Sequence, residues 1–241
     1  MRAKSFRKVS LLLTLAVLMG CGPSRFVEPL ERGENAVSVS IGGPMANVPG
    51  IATIPLPFTS IGYGRGITSN ITAFGSWYST AAVLGVAQFD GGVTIKLIES
   101  QKQKHGLSCT PSFNTALDFY ANQFKFWPKL DANYYWRYNH RQQIQDDLLT
   151  NGGRPKANLF YAGIGTWYEL DGSRAHNEKQ NTRIIPILNI GHDLNWKNWT
   201  FKTEVKLIAP FSSNQDIVVD YVSPMGEQGA LGLYFGFVRR F

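Results

Sequence analysis

Cysteine and histidine are scarce in this sequence, and their scarcity excludes several kinds of site. The chain of 241 residues has only two cysteines, Cys21 and Cys109, which are too few for a framework of disulfides. Its four histidines show neither an HxH nor an HExxH spacing, and they are His105, His140, His176 and His192. We therefore predict no metal site and no cofactor.

A concentrated positive surface is lacking as well. The formal net charge is +7, but four basic residues lie within the first eight positions, ahead of every acidic residue. Without them, 20 basic residues face 17 acidic residues, a net charge of about +3. Because no later run of Lys and Arg is of the kind that binds phosphates, we predict no nucleic-acid partner.

The N-terminus has the layout of a secretory signal peptide. Basic residues come first, and an apolar stretch from Leu11 to Met19 follows them. This stretch is too short to cross a bilayer as a helix. We therefore expect the first residues to be a targeting segment that is removed from the mature protein.

The end of this segment, "LMGC" from Leu18 to Cys21, resembles the lipobox of bacterial lipoproteins. In that family the cysteine thiol receives a diacylglyceryl group, the signal peptide is cut off before it, and the new amino terminus is acylated. The resemblance implies that Cys21 is the site of lipid attachment and that the lipoprotein-processing machinery is a partner. Gly22, where an Asp would retain the protein at the inner membrane, implies the outer membrane of a Gram-negative bacterium. The alternative is an ordinary signal peptide with a chance cysteine.

Three regions follow from this interpretation. Residues 1–20 are a lipoprotein signal peptide, and residues 21–35, which are polar and interrupted by two prolines, are a lipidated tether. Residues 36–241 form one β-barrel domain, because segments with alternating apolar and polar residues recur along them. Ten such segments lie near 36–43, 54–67, 70–79, 85–98, 112–122, 124–139, 158–170, 182–196, 199–210 and 229–241.

The alternation fits two kinds of barrel whose apolar and polar faces are exchanged. A soluble barrel holds its apolar residues inside, whereas a transmembrane barrel turns them outward to lipid and keeps polar residues in the lumen. Tyr and Trp gather near segment ends, as at Trp136 and Trp196, which is typical of aromatic girdles at membrane interfaces. We therefore predict an all-β, antiparallel, up-and-down transmembrane barrel of about ten strands, with eight possible. A lipid-tethered periplasmic barrel that binds a hydrophobic ligand is the alternative.

The connections and the C-terminus favour the membrane barrel. Residues 68–70 and 197–198 are tight turns, whereas 171–181 and 211–228 are long and polar, and only the segment 140–157 is long on the side predicted to be periplasmic. The last strand resembles the assembly signal of outer-membrane barrels, with matches at Leu233, Phe235, Phe237 and Phe241. Arg239 departs from that pattern, since a hydrophobic residue is usual there. The resemblance implies outer-membrane lipid and the barrel-assembly machinery as partners.

The polar positions of the alternating segments supply candidate lumen charges of both signs. They are Lys125, Lys129, Asp131, Arg137, Lys202, Glu204 and Lys206. We predict that they form salt bridges that plug a narrow barrel, and the alternative is a small pore. Small-molecule ligands are not identifiable from the sequence.

Catalysis has weak support in the sequence. "GYGRG" at 62–66 lies in a strand pattern, so we expect its glycines to pack against large neighbouring side chains. Ser173 with His176, and His192 with Asp193, are the pairs that an outer-membrane lipid-modifying enzyme could use. Neither pair matches the motifs of lipid A acyltransferases or deacylases. We therefore predict a non-enzymatic structural or interaction protein.

Overall fold

A computed structural model describes residues 22–48, 52–100, 104–120, 122–138, 156–170, 183–213 and 220–241. These residues form eleven strands and one short helix, α1. The strands are β1 (Asn35–Val48), β2 (Ala52–Pro55), β3 (Thr59–Thr68), β4 (Ile71–Tyr78), β5 (Val86–Glu99), β6 (His105–Asp118), β7 (Gln123–Tyr138), β8 (Asn158–Tyr168), β9 (Ile184–Trp196), β10 (Trp199–Ser213) and β11 (Gln228–Arg240). Helix α1 (Ser79–Val83) connects β4 to β5.

Ten of the strands close into a barrel in which every pairing is antiparallel. From β3 to β11 each strand pairs with the next, and β1 pairs with both β3 and β11. Strand β2 pairs only with the second half of β1, from Met45 to Val48, and so stands outside the ring. The predicted up-and-down barrel of ten strands is confirmed.

The two ends of the barrel differ. Asn35 and Phe241 meet at one end through two backbone hydrogen bonds of 2.9 Å, and we name this the proximal end. The tight turns at 68–70 and 197–198 lie at the same end. The first joins β3 to β4 and the second joins β9 to β10, and these strands pair with strands that begin or end there. The connections after β8 and β10 lie at the opposite, distal end. The segment 140–157 joins β7 to β8 at the proximal end, and only its residues 156 and 157 are among those described.

The apolar residues of the barrel face outward. Val39 is 50% exposed and Ile190 is 68% exposed, whereas Thr72 and Thr94 on the opposite face are fully buried. An apolar exterior around a polar interior is stable in lipid, where a closed barrel also satisfies every strand's hydrogen bonds. The chain is therefore a membrane barrel. The alternative of a soluble barrel with an apolar cavity is wrong, since it requires the two faces to be exchanged.

The strand boundaries differ from the sequence-based segments most clearly at β6. The pattern predicted a strand near 112–122, and β6 begins at His105. Its first half carries small residues such as Ser108, Cys109 and Thr110, which give little contrast between the two faces. No helix among the described residues is long and apolar enough to span a membrane.

Candidate functional site

The lumen of the barrel is filled by residues 22–34, which we name the lumen segment. The sequence assigned them to a polar tether, but the structure places residues 22–30 inside the barrel and leaves 31–33 exposed. Val27 and Leu30 are 1% and 2% exposed, and Arg25 and Phe26 are also buried. The tether interpretation missed this because the segment has no strand alternation and its prolines are typical of linkers.

Glycines of β3 make room for the lumen segment. Gly64 faces inward, and a Cβ atom added there would lie 2.4 Å from the ring of Phe26. A Cβ atom at Gly66 would lie 1.9 Å from the backbone oxygen of Glu31. The "GYGRG" motif therefore supplies a wall without side chains, against which the segment lies. The expectation that these glycines pack against a large side chain is confirmed at Gly64.

Strand β10 binds the first residues of the lumen segment through hydrogen bonds. The carboxylate of Glu204 accepts hydrogen bonds from the backbone N–H of Ser24, at 2.6 Å, and from its hydroxyl, at 2.7 Å. The ammonium group of Lys206 donates to the backbone oxygen of Gly22, at 2.9 Å. Glu204 and Lys206 are almost completely buried. Hydrogen bonds to charged groups are worth about twice neutral ones, so this contact fixes the segment strongly.

Arg25 fixes the segment on the opposite wall. Its guanidinium donates to Asp90 Oδ2 at 2.8 Å, to Ser60 Oγ at 2.8 Å and to Ser40 Oγ at 3.2 Å. It also lies 5.6 Å from the centre of the Tyr78 ring, within the range of a cation–π contact. The Tyr78 hydroxyl donates to the same Asp90 oxygen at 2.7 Å. Asp90 Oδ2 is thus bound by the segment and the wall together, whereas Asp90 Oδ1 is buried without a hydrogen-bond partner among the described residues.

Glu28 joins a charge network nearer the proximal end. Its carboxylate accepts a hydrogen bond from Arg137 at 2.9 Å, and Arg137 also donates to Glu99 at 2.5 Å. Burial by itself raises the pKa of Glu28, but the cations of Lys156 and Arg137 outweigh it and hold that pKa below its ordinary value. Glu28 therefore remains a carboxylate that binds the segment to the wall.

Apolar contacts complete the docking. Phe26 and Leu30 pack with Ala36 and Val238, and Val27 packs in a second cluster with aromatic side chains of the wall. The Leu30 N–H donates to Thr72 Oγ1 at 2.7 Å. The segment thus combines charged anchors with the burial of three large apolar side chains, which is typical of a built interface rather than a loose linker.

The structure places the predicted lumen charges on the inward parity of β7 and β10. Three of the resulting ion pairs join neighbouring positions of the wall: Lys129 with Asp131 at 2.9 Å, Lys202 with Asp193 at 2.6 Å, and Lys206 with Glu204 at 3.7 Å. Lys125 shares the inward parity of β7. Arg25, Glu28 and Arg240 were not among the predicted lumen charges. Strict alternation along β11 would have found Arg240, whereas nothing in the sequence pattern signals the other two.

Cations of the lumen also lie over inward-facing tyrosines. Four such contacts run around the interior, with distances of 5.3 to 5.8 Å between the charge and the ring centre: Arg25 with Tyr78, Arg137 with Tyr135, Lys202 with Tyr161 and Lys206 with Tyr234. Glycines on the wall leave space for three of the rings, Gly106 beside Tyr135, Gly191 beside Tyr161 and Gly232 beside Tyr234. The aromatic rings fill the volume between the charges and reduce the space left for water.

The distal half of the lumen is closed by an apolar layer of wall side chains. It contains Tyr78, Ala81, Val86, Ala116, Trp127, Trp167, Ile187 and Tyr234. The Trp127 indole N–H donates to Glu169 at 2.8 Å. Below this layer, the cavity lined by Arg25, Asp90 and Asp131 has a volume of about 30 Å³, which is room for one or two water molecules. The lumen therefore has no open passage among the described residues.

The catalytic alternatives gain no support from the positions of their residues. His192 faces outward, where its Nε2 hydrogen-bonds with the Tyr138 hydroxyl at 2.5 Å, and Asp193 faces inward to Lys202. The wall of the barrel thus separates this pair. Ser173 and His176 lie outside the described residues. Within the described residues there is no group of three His, Cys, Asp or Glu that could hold a metal ion.

The residues of the predicted assembly signal share the outward face of β11. Leu233, Phe235 and Phe237 alternate with buried inward residues, and the exposed Phe241 follows the strand. Arg239 has the same outward parity and lies 5.3 Å from the centre of the Trp199 ring. The lipid-attachment residue Cys21 lies outside the described residues, so its role stays a prediction.

The apolar outward face defines this protein as a membrane β-barrel, and the lumen segment fills its interior. No family model matches the sequence, and no curated protein matches it. Among solved structures it is similar to LpxR from Salmonella typhimurium, with a TM-score of 0.41 and 8% identity over 90% of this chain and 79% of that one. A bacterial polysaccharide outer membrane secretin gives 0.39 and 9% over 88% and 99% of the two chains. The translocator domain of the autotransporter NalP from Neisseria meningitidis gives 0.38 and 9% over 100% and 97%.

Proposed function

We propose that this chain is an outer-membrane barrel that is closed when its own N-terminal segment is docked in the lumen, and that it has a structural or interaction role without catalysis. The observation that carries the proposal is the lumen segment, whose Arg25 and Glu28 are paired with charges of the wall. A pore for solutes would need this segment to leave. Recognition would then fall to the connections at the distal end, where loops carry most variable surface.

The location and the anchor belong to the same proposal. A signal peptide, a lipobox ending at Cys21 and an outward apolar face support an acylated protein of the Gram-negative outer membrane, with the proximal end in the periplasm. Barrel assembly would read the terminal strand with Phe237 and Phe241.

The anchor and the closed lumen compete for the same segment. Gly22 is held by Lys206, which is the eighth of the fifteen residues of β10 and therefore lies near mid-height in the wall. Because Gly22 directly follows Cys21 in the sequence, we infer that acyl chains on Cys21 would reach the proximal leaflet only after the segment has left the lumen. The anchored form and the closed form are thus two states of one segment, and the closed form is the chain with the segment docked.

Thiol labelling tests the closure directly. In a background without native cysteines, Ser60→Cys places a thiol beside Arg25, where the docked segment covers it. Deletion of residues 22–33 should raise its rate of reaction with a charged, membrane-impermeant reagent by at least about tenfold, since only the docked form is protected. The matched control is Arg32→Gln, a change at an exposed residue of the same segment. Equal rates for the full-length and the shortened protein would contradict the proposal.

Single-channel recording distinguishes closure by the lumen segment from closure by the distal apolar layer. The full-length barrel in a planar bilayer should give no steady conductance steps. Removal of 22–33 together with Trp167→Ala should give them, since it takes away both the segment and part of the distal layer. Steady steps from the unmodified protein would overturn the closed barrel in favour of a small pore.

A further inference from the structure

The outward face of the barrel carries only two charged side chains among the strands that the structure describes. They are Arg65 on β3 and Arg239 on β11, and both are exposed. Every Asp, Glu and Lys of these strands, and the remaining Arg residues, have the inward parity or join the ion pairs of the lumen. Two charges of one sign on an otherwise apolar surface call for a ligand of the opposite sign.

The two arginines lie on either side of the same strand at the proximal end. Arg65 is paired with Asn35 of β1, and Arg239 is paired with Val37 of β1. Because neighbouring strands are about 4.8 Å apart and the two pairing positions on β1 are two residues apart, the two backbones are separated by about 12 Å, which the two long side chains can bridge. Both side chains therefore flank β1 beside the seam where the barrel closes.

Aromatic side chains surround this pair at the level of the membrane interface. The Arg239 guanidinium lies over the Trp199 ring, and Tyr63 donates its hydroxyl proton to Asn35 Oδ1 at 2.6 Å. Trp and Tyr are enriched at the depth of lipid headgroups. The arginines are thus level with the phosphates of the adjoining leaflet rather than with the acyl chains.

The protein itself supplies no counter-ion to the pair among its described residues. The lumen cations that we described are paired with carboxylates, whereas Arg65 and Arg239 are in no ion pair of the described chain. Glu34, an acidic residue of this rim, turns toward Arg240 at 3.5 Å and Lys156 at 3.8 Å. The exposed charge is therefore available to an anion from the membrane.

We propose that Arg65 and Arg239 bind the phosphate of an anionic glycerophospholipid in the leaflet at the proximal end. The planar guanidinium groups match the fork of phosphate oxygens, and Trp199 holds one of them in place. This role also explains Arg239, the one residue of the terminal strand that departs from the assembly pattern. A charge that would be unfavourable in the apolar belt is tolerated at the headgroup level.

Lipid retention by the folded, purified barrel tests this site. Native mass spectrometry of the detergent-solubilised protein would count phosphatidylglycerol and phosphatidylcholine retained from an equal mixture. We expect Arg65→Gln and Arg239→Gln each to lower the retained phosphatidylglycerol about fivefold, and Arg239→Lys to lower it less. The control is Arg183→Gln, which removes the same charge from an exposed position at the distal end. Heat-modifiable migration on gels would show that each variant is folded.

Four results would overturn the proposal, and the last of them is displacement by inorganic phosphate. The first is equal loss of phosphatidylglycerol in the Arg183→Gln control, and the second is equal retention of the two lipids by the unmodified protein. The third is unchanged lipid retention by folded variants that assemble poorly in cells, which would assign the arginines to a protein partner. Added inorganic phosphate should not displace the lipid at equal concentration, because a free ion lacks the adjoining acyl chains; displacement would assign the site to free phosphate.

Discussion

Arg25→Gln should release the lumen segment while the barrel stays folded. In the docked state Arg25 is 7% exposed and pairs with Asp90, whose other partner is the Tyr78 hydroxyl. Removing one member of a buried pair typically costs 3–5 kcal/mol, because the remaining charge loses its partner. Since Tyr78 still donates to Asp90, we expect the lower end, about 3 kcal/mol, which is about 100-fold in the docking equilibrium.

Hydrogen exchange measures that equilibrium without unfolding the barrel. The Ser24 and Leu30 amides donate to Glu204 and Thr72 only when the segment is docked, so their exchange reports its release. We expect exchange of residues 22–34 to accelerate about 100-fold in Arg25→Gln, with the strands still protected, and to stay unchanged in Arg32→Gln.

A double-mutant cycle with Asp90→Asn sharpens the test. If the two groups act through their ion pair, the double variant should lose less than the sum of the single variants, by about 1.5–3 kcal/mol. Slow exchange of the segment in Arg25→Gln, equal to that of the unmodified protein, would refute the argument that this pair holds the segment in place.

Three further changes test the other contacts. Gly66→Ala should expel the segment, since its Cβ atom would lie 1.9 Å from the Glu31 oxygen, whereas Gly75→Ala, where the nearest atom is 3.6 Å away, should leave exchange unchanged. The pKa of Glu28 is held low in the docked state, so its contribution to docking is complete above the ordinary carboxylate range and is lost as the pH falls through the lowered pKa. Peptic cleavage of the segment at a series of acid pH values should show this loss, and Glu28→Gln should remove it. Trp167→Ala should lower the free energy of barrel unfolding in urea by about 3–5 kcal/mol, because the ring is buried in the distal layer; a change below about 1 kcal/mol would mean that this layer is loosely packed.

The sequence predicted the barrel because each strand alternates over many residues. In β9 and β10 large apolar residues such as Leu188 and Val205 face lipid, and Asn189 and Glu204 face inward. The two-residue period and the difference between the two faces are therefore both visible in the sequence. The same rule predicted Lys129 and Lys202 for the lumen, and the structure places both on the inward parity. Where inward and outward residues are both small, as in the first half of β6, the contrast disappears and the predicted strand began too late.

The position of the lumen segment could not be predicted from strand alternation, and the cause is physical. Arg25 and Glu28 are bound by residues far away in the sequence, Asp90 and Arg137, and local patterns carry no information about such partners. The glycines of β3 were the only local sign. They alternate at 62, 64 and 66 on the inward face, which indicates that another part of the chain approaches the wall closely, although nothing local shows which part.

Acylation at Cys21 should decide whether the segment is docked. The contacts of Ser24 and Arg25 require Gly22 to stay at mid-height in the lumen, while acyl chains gain free energy only in lipid, about 0.8 kcal/mol for each buried methylene. Several long chains therefore outweigh the docking contacts if the only leaflet they reach is the proximal one. We expect residues 22–34 to exchange slowly in Cys21→Ala secreted with a conventional signal peptide, and quickly in the acylated protein. Slow exchange in both forms would refute the inference that the acyl anchor and the docked segment exclude each other.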